Sequence, residues 1–206
     1  SGLNTYSGGT TISTGSTVTV SSDSNLGAST GALILNGGSL GINGSVAAFS
    51  STSRAIFVNT SGTINNNNSY GTNATSATFG GTISALTNNA TLTFNSADAT
   101  HHTSLDGLLQ DATGPPSATL SIVQSGTNQL IFNRANTYTG TTSVNSGQVK
   151  VGINAALGTG SVTVASGAAL DLNGKTIANN LSLAGTGVSA SGALFNSSTS
   201  LATASG

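Results

Sequence analysis

Apolar and polar residues alternate in short runs along this chain. Three of the clearest runs are VKV at 149–151, VTV at 162–164 and LDL at 170–172. Successive side chains of a β-strand point to opposite faces, so a period of two predicts strands with one apolar face. Asn, Ser and Gly fill the gaps and favour tight turns. The pattern predicts an all-β chain built from short strands.

A block of about forty residues is written twice, and internal repetition is strong evidence for architecture. NTYSGGTTI begins at Asn4, and NTYTGTTSV begins at Asn136. The following segments also correspond, 15–27 with 147–158 and 31–43 with 160–174. Neither copy keeps the 3.6-residue period of a helix. Repeated short strands predict a parallel β-helix (β-solenoid), in which each turn contacts only its neighbours.

We expect eight or nine turns of about 20–23 residues, with strands about 4.8 Å apart. A β-sandwich is the alternative, since Asn36-Gly37 and Asn173-Gly174 are hairpin signals. The residues predicted to point into the coil are Val18, Val20, Leu33, Leu35, Leu40, Leu92, Phe94, Leu120, Ile122, Leu130, Phe132, Val149, Val151, Val162, Val164, Leu170, Leu172, Leu181 and Leu183.

The repeated block resembles a known family. Its NTYTG-type opening, a G-x-V-x-V run, a Leu-Gly pair and a closing strand ending in Asn-Gly are similar to the autotransporter-associated β-strand repeat, also called the passenger-associated transport repeat. The resemblance covers residues 3–43 and 117–174. It implies a single-stranded, right-handed parallel β-helix and a role in export or display of bacterial surface proteins. On this basis residues 1–206 are expected to be one segment of a longer chain, located at the bacterial surface or secreted.

Composition excludes several functions. Only 4% of residues are charged and the formal net charge is −1. Binding to nucleic acid requires many Lys or Arg side chains that displace counterions, so it is not expected. No apolar run approaches the roughly 18 residues of a membrane-spanning helix, so insertion into a membrane is not expected either. The chain has no Cys, which rules out disulfides and thiolate metal sites.

Residues 97–116 interrupt the alternation and hold both His and both Pro residues. Ser104 is suited to cap a helical turn carrying Leu105, Leu108 and Leu109, which Pro115-Pro116 would end. We therefore predict an insertion that lies outside the coil.

The insertion also contains the one candidate cluster of ionisable residues: Asp98, His101, His102, Asp106 and Asp111. Two His and a carboxylate can hold a divalent metal. Adjacent His residues, however, point to opposite faces of an extended chain. Glu is absent, which disfavours the paired carboxylates of glycan-cleaving enzymes. A solvated polar loop is therefore favoured, and no catalytic residue, metal or cofactor is predicted.

Other polar positions give weaker signals. Asn closes six strands and could stack its amides from turn to turn, although Asn is common in any turn; these residues are Asn36, Asn59, Asn95, Asn133, Asn173 and Asn196.

Outward Thr pairs could form rows that bind ice or sugars, but Ala32, Ile34 and Lys150 are expected to interrupt them. We expect Lys150 and Asp171 to form a surface ion pair, and Arg54 to lie at the solvent edge of its strand.

These features predict a non-enzymatic stalk whose partners are neighbouring repeats of the same chain. An adhesive module that binds surface glycans or other cells is the alternative. A carbohydrate-active β-helix enzyme is the third hypothesis.

Overall fold

The computed structural model describes residues 2–43, 52–66, 77–97, 99, 101–112 and 118–206. Within these ranges the chain is all-β and winds into a β-solenoid of about seven turns. Every pair of neighbouring strands is parallel. The predicted parallel β-helix is confirmed, and the antiparallel sandwich is excluded for the described strands.

Three sheets form the sides of the coil, with strands numbered in chain order. The first sheet contains β1 (Thr10–Ser13), β3 (Leu33–Asn36), β5 (Ile56–Val58), β8 (Ile83–Ala85) and β11 (Leu109–Gln110). The second contains β2 (Thr17–Val20), β4 (Ser39–Ile42), β6 (Ser61–Asn66), β9 (Ala90–Phe94), β12 (Leu120–Gln124), β14 (Thr142–Val144), β16 (Val162–Val164) and β19 (Leu181–Leu183). The third contains β7 (Ala77–Phe79), β10 (His102–Leu105), β13 (Gln129–Phe132), β15 (Gln148–Val151), β17 (Ala169–Asp171) and β20 (Leu194–Phe195). A short pair, β18 (Thr176–Ile177) and β21 (Thr203–Ala204), completes the described strands.

The turns of the coil differ in length. Ser143 and its neighbour Thr163 on the next turn are 20 residues apart, whereas Ala97 and its partner Thr127 are 30 apart. The second sheet has eight strands among the described residues, but the coil makes about seven turns, fewer than the predicted eight or nine. The predicted length of 20–23 residues is too short for the middle of the coil, where the chain makes wider excursions between sheets.

One continuous apolar core fills the coil. All of the predicted inward residues are buried except three. Val18 and Leu181 are partly buried against the core, and Leu183 is 43% exposed. These three residues lie on β2 and β19, the outermost strands of the second sheet, so only one neighbouring strand covers them. Each fully buried aliphatic side chain contributes roughly 1.5–3 kcal/mol, so stability accumulates turn by turn.

The two copies of the repeated block lie on different sides of the coil. β1 and β2 belong to the first and second sheets, whereas their sequence counterparts β14 and β15 belong to the second and third. The longer turns between the copies shift the second copy by one side. Residues that match in sequence therefore do not share a face.

The segment 97–116 was predicted to be an insertion, and this is wrong for its described part. β10 pairs with β7 on one side and with β13 on the other, while β11 pairs with β8. Ser104 lies in β10 and caps no helix; Leu105 and Leu109 are fully buried in the core. Burial of these apolar side chains outweighs the local helical pattern. Residues 98, 100 and 113–116 lie outside the described residues.

Arg54 is also placed differently from the prediction, since it is only 1% exposed. Its Nε donates to Asp23 Oδ1 at 3.0 Å and its Nη2 donates to Asp23 Oδ2 at 3.2 Å. The same guanidinium donates to the carbonyls of Ala28 at 3.0 Å, Gly27 at 3.1 Å and Gly31. A rigid fork of five donors matches such a set of acceptors. Arg54 therefore ties its turn to the corner of the preceding turn.

A continuous Asn ladder is not formed in the described part of the coil. Asn59 Nδ2 donates to Asn36 Oδ1 at 2.9 Å, the single amide–amide link among the six predicted positions. Asn133 donates to a carboxylate and Asn173 to a backbone carbonyl. Asn173, with φ 47°, is also the one member of the six with left-handed backbone. Most of these residues are individual turn formers.

The repeated block contains two tyrosines in equivalent positions. Tyr6 pairs its hydroxyl with Thr10 Oγ1 at 2.7 Å, and Tyr138 pairs with Thr142 Oγ1 at 2.6 Å. The turn that contains β11 bonds to the backbone beside Tyr138, and this tyrosine is fully buried, whereas Tyr6 is 45% exposed. Burial raises the pKa of the Tyr138 phenol above its usual range.

Candidate functional site

The predicted ionisable cluster does not converge. Asp106 is exposed and accepts a hydrogen bond from Asn133 Nδ2 at 2.9 Å. Asp111 accepts from the Leu120 backbone N–H at 2.8 Å and from Thr139 Oγ1 at 2.6 Å. Both carboxylates therefore link one turn to another. Asp98 lies outside the described residues, and among those that the structure describes no three His, Cys, Asp or Glu side chains are grouped to hold a metal.

His101 and His102 instead line a cleft of about 250 Å³ beside the third sheet. The other described lining residues are Ala99, Thr127, Asn128, Gln129, Gly147, Gln148 and Val188. Three of the outward polar residues are neighbours on successive strands: His102 on β10 pairs with Gln129 on β13, which pairs with Gln148 on β15. Adjacent strands are about 4.8 Å apart, so these side chains form an evenly spaced row.

The buried polar residues fix the inner side of the cleft. His101 is 5% exposed and Asn128 is 1% exposed. Asn128 Nδ2 donates to Thr103 Oγ1 at 3.2 Å, and its Oδ1 accepts from Gln124 Nε2 at 2.8 Å. A buried amide bonded on both sides has one orientation. Asn128 therefore forms a rigid support for the residues that face the cleft.

The two histidines are the titratable residues among the described lining of the cleft. None of its described lining residues carries a carboxylate, an amine or a guanidinium. Burial is the larger cause that lowers the pKa of His102 below its ordinary value, and the neighbouring charge of His101 lowers this pKa further. Since an unperturbed His titrates near 6.5, the His102 imidazole is neutral at pH 7. A neutral imidazole offers one donor and one acceptor.

The backbone behind Val188 adopts an uncommon conformation. Ser189 has φ 50° and Ala190 has φ 62°, two successive non-glycine residues in the left-handed region. Such residues are uncommon and cost of order 1–3 kcal/mol each, and they cluster at functional sites. Backbone bonds within the segment close this turn: the Ser191 N–H donates to the Val188 carbonyl at 3.0 Å and the Gly192 N–H to the Thr186 carbonyl at 2.8 Å.

The predicted Lys150–Asp171 pair is present, with Nζ 3.8 Å from Oδ2. It is not a pair of exposed groups, because Asp171 is only 1% exposed. This carboxylate also accepts from the Asn173 N–H at 2.9 Å and from Ser197 Oγ at 2.7 Å. Asp171 therefore organises a corner of the coil and is not available as an acid or base.

A row of hydroxyl side chains follows the outer face of the second sheet. Its members, in register from strand to strand, are Thr17, Ser39, Thr63, Thr93, Val123, Ser143, Thr163 and Ser182. A second row beside it includes Ser61, Thr91 and Ser121. The prediction that Ala32, Ile34 and Lys150 interrupt these rows is wrong. Ala32 directly precedes β3 of the first sheet, Ile34 lies on that strand, and Lys150 lies on β15 of the third sheet. Val123 is the one apolar member of the first row.

Comparisons with protein-family models, curated proteins and solved structures found no match to this chain. The resemblance to the autotransporter-associated repeat therefore stays a prediction from the residues. No helix in the described ranges is long and apolar enough to cross a membrane.

Sequence reasoning identified His101 and His102 but not Gln129, Gln148 or Val188. The two glutamines become neighbours of His102 only through the register of the third sheet. That register depends on turn lengths, which vary along the coil. No sequence motif marks these three residues.

Proposed function

We propose that this chain is a non-enzymatic stalk segment of a bacterial surface or secreted protein. The observation that carries the proposal is the unbroken stacking of the second sheet, whose eight strands run from Thr17 to Leu183. Each turn is stabilised by its neighbours, so such a coil can fold progressively and can transmit force along its axis. The resemblance of the repeated block to a passenger repeat supports the proposed location outside the cell.

The chemistry of the described residues also supports a mechanical role. Turnover requires convergent acid, base or nucleophilic groups. Asp106, Asp111 and Asp171 are instead bonded to groups of adjacent turns. Their role is therefore to hold corners of the coil.

A whole-turn deletion tests the stalk. Deleting residues 143–162 joins Thr142 to Thr163, which lies directly above Ser143 in the register. Strand β14 is then replaced by its equivalent, and the coil loses one turn. We expect this variant, carried between an outer-membrane anchor and an epitope tag, to display the tag on intact cells. The control deletion of residues 143–152 removes half a turn and should abolish display.

Two results would contradict the stalk. Loss of display by the whole-turn deletion would show that the coil does not act as interchangeable turns. Depolymerisation of a polysaccharide by the intact chain would favour the carbohydrate-active enzyme.

An adhesive module is the second candidate, and the uncharged hydroxyl rows of the second sheet favour it. A flat, regular face of donors and acceptors is suited to a repeating, uncharged polymer. Replacing Thr163 by Lys places a charge in the row. If the chain is an adhesin of this kind, cells that display it should bind immobilised glycans, and the Thr163→Lys variant should not.

A further inference from the structure

We propose that the cleft formed by His101, His102, Asn128, Gln129, Gln148 and Val188 binds one sugar ring of an uncharged glycan. This site lies beside the third sheet, away from the hydroxyl rows of the second sheet. It adds a binding activity to the proposed stalk and does not depend on it.

The size of the cleft limits the ligand. Pockets for drug-sized ligands occupy about 300–1,000 Å³, and this cleft has about 250 Å³. One sugar ring therefore fits within it, and the rest of a glycan would extend into solvent. The strands that border the cleft, β10, β13 and β15, pair with neighbours on both sides. No free strand edge is available there to a peptide.

The polar groups match a polyol. A sugar hydroxyl is both donor and acceptor, and so is a Gln amide. Gln148 Nε2 already donates to Asp171 Oδ2 at 3.4 Å, which orients its amide. The Gln129 side chain has no hydrogen bond within the described residues and remains able to donate and accept. Because none of the described lining residues carries a carboxylate, an amine or a guanidinium, phosphates, carboxylates and amines are disfavoured as ligands.

The wall at Val188 supplies the apolar surface that a sugar ring also needs. Its carbon-bound hydrogens form an apolar face that packs on aliphatic side chains. Ser189 and Ala190 hold this wall in left-handed backbone conformations.

Side-chain amide signals of the glutamines provide a direct assay in ¹H–¹⁵N NMR of the full chain. The probes are D-glucose, D-galactose, D-mannose and N-acetyl-D-glucosamine, each titrated separately. We expect at least one sugar to shift the Gln129 and Gln148 amide signals saturably, with a dissociation constant of about 1 mM. Gln129→Leu should weaken that binding at least tenfold. Gln129→Glu keeps the size of the side chain but loses its donor, and should also weaken binding.

The matched control is Gln110→Leu. Gln110 is another half-buried glutamine on a strand, but it lies in the first sheet and donates to Ser84 Oγ. This variant should bind like the parent chain. The proposal is overturned if none of the four sugars produces a saturable shift, or if both Gln129 variants bind like the parent chain. Shifts confined to the second sheet, at Thr163 and its neighbours, would equally overturn it in favour of the hydroxyl rows.

Discussion

Replacing Arg54 by Met is expected to destabilise the coil strongly. The guanidinium donates to the Asp23 carboxylate and to the backbone carbonyls of Asp23, Gly27, Ala28 and Gly31 in the preceding corner. Thr52 Oγ1 also donates to Asp23 Oδ1, at 2.7 Å. The Asp23 side chain is 20% exposed and Arg54 only 1%. Met fills much of the same volume but donates nothing, so Asp23 Oδ2 and the carbonyls of Gly27 and Gly31 would lose their donor.

The magnitude follows from these bonds. Removing one partner of a buried ion pair costs about 3–5 kcal/mol, because the other charge remains uncompensated. Asp23 is 20% exposed and keeps its bond from Thr52, so the lower end, about 3 kcal/mol, applies here. Arg54→Lys keeps the charge but loses the planar fork, so it should cost about 1–3 kcal/mol for the unsatisfied carbonyls. Adding Asp23→Asn to Arg54→Met removes the stranded charge and should recover part of the loss.

Urea unfolding followed by far-UV circular dichroism measures this effect, since the chain has no Trp. With a urea dependence of about 1–3 kcal/mol per molar, a loss of 3 kcal/mol lowers the midpoint by about 1 M or more. Arg134→Met is the matched control, because Arg134 is exposed and its change should stay within about 0.5 kcal/mol. If Arg54→Met unfolds within 0.5 kcal/mol of the parent chain, about the change expected at the surface, the assigned role of this arginine is wrong.

Three further predictions use the geometry of the coil. Tyr138→Phe should lower the free energy of unfolding by about 1 kcal/mol, and Tyr6→Phe by less, because only the first hydroxyl bond is buried; equal losses in urea unfolding would contradict this. Leu170→Ala should cost about 2–5 kcal/mol and Leu183→Ala much less, since Leu183 is covered on one side only; thermal unfolding compares the two. The pKa of His102 is lowered in the folded state, so the unfolded chain binds more protons below about pH 6.5; the free energy of unfolding should therefore be fully present above about pH 6.5 and fall as the pH decreases below it. His102→Asn should reduce that pH dependence, and an unchanged dependence would show that His102 does not cause it.

Strand positions and the inward residues could be predicted because each depends on local alternation. Leu120 and Ile122, for example, lie on either side of Ser121, and burial of one face is then the only way to remove both apolar side chains from water. The repeated block likewise predicted stacking, since a strand with one apolar face needs a neighbouring turn. These properties do not depend on the length of the connections.

The features that could not be predicted depend on those connections. Ile34 and Lys150 were expected to interrupt the hydroxyl rows, but the longer turns of the middle of the coil move the second copy to another side. Arg54 was expected at the surface, but it is buried. Its acceptors are mainly backbone carbonyls of the preceding turn, and no sequence motif reveals where such carbonyls will lie. The cleft depends on the same unseen register, through Gln129 and Gln148.

The distance between spin labels at Thr17 and Ser182 tests the uninterrupted stacking of the coil most directly. Both residues belong to the same outward row, on the outermost strands β2 and β19 of the second sheet, and the chain has no Cys to interfere with labelling. Seven strand spacings separate them, so pulsed electron paramagnetic resonance on the Thr17→Cys/Ser182→Cys variant should give a narrow distribution centred about 34 Å. A distance shorter by about 10 Å, or two strand spacings, would mean that the strands between them do not all stack, and would contradict the uninterrupted coil.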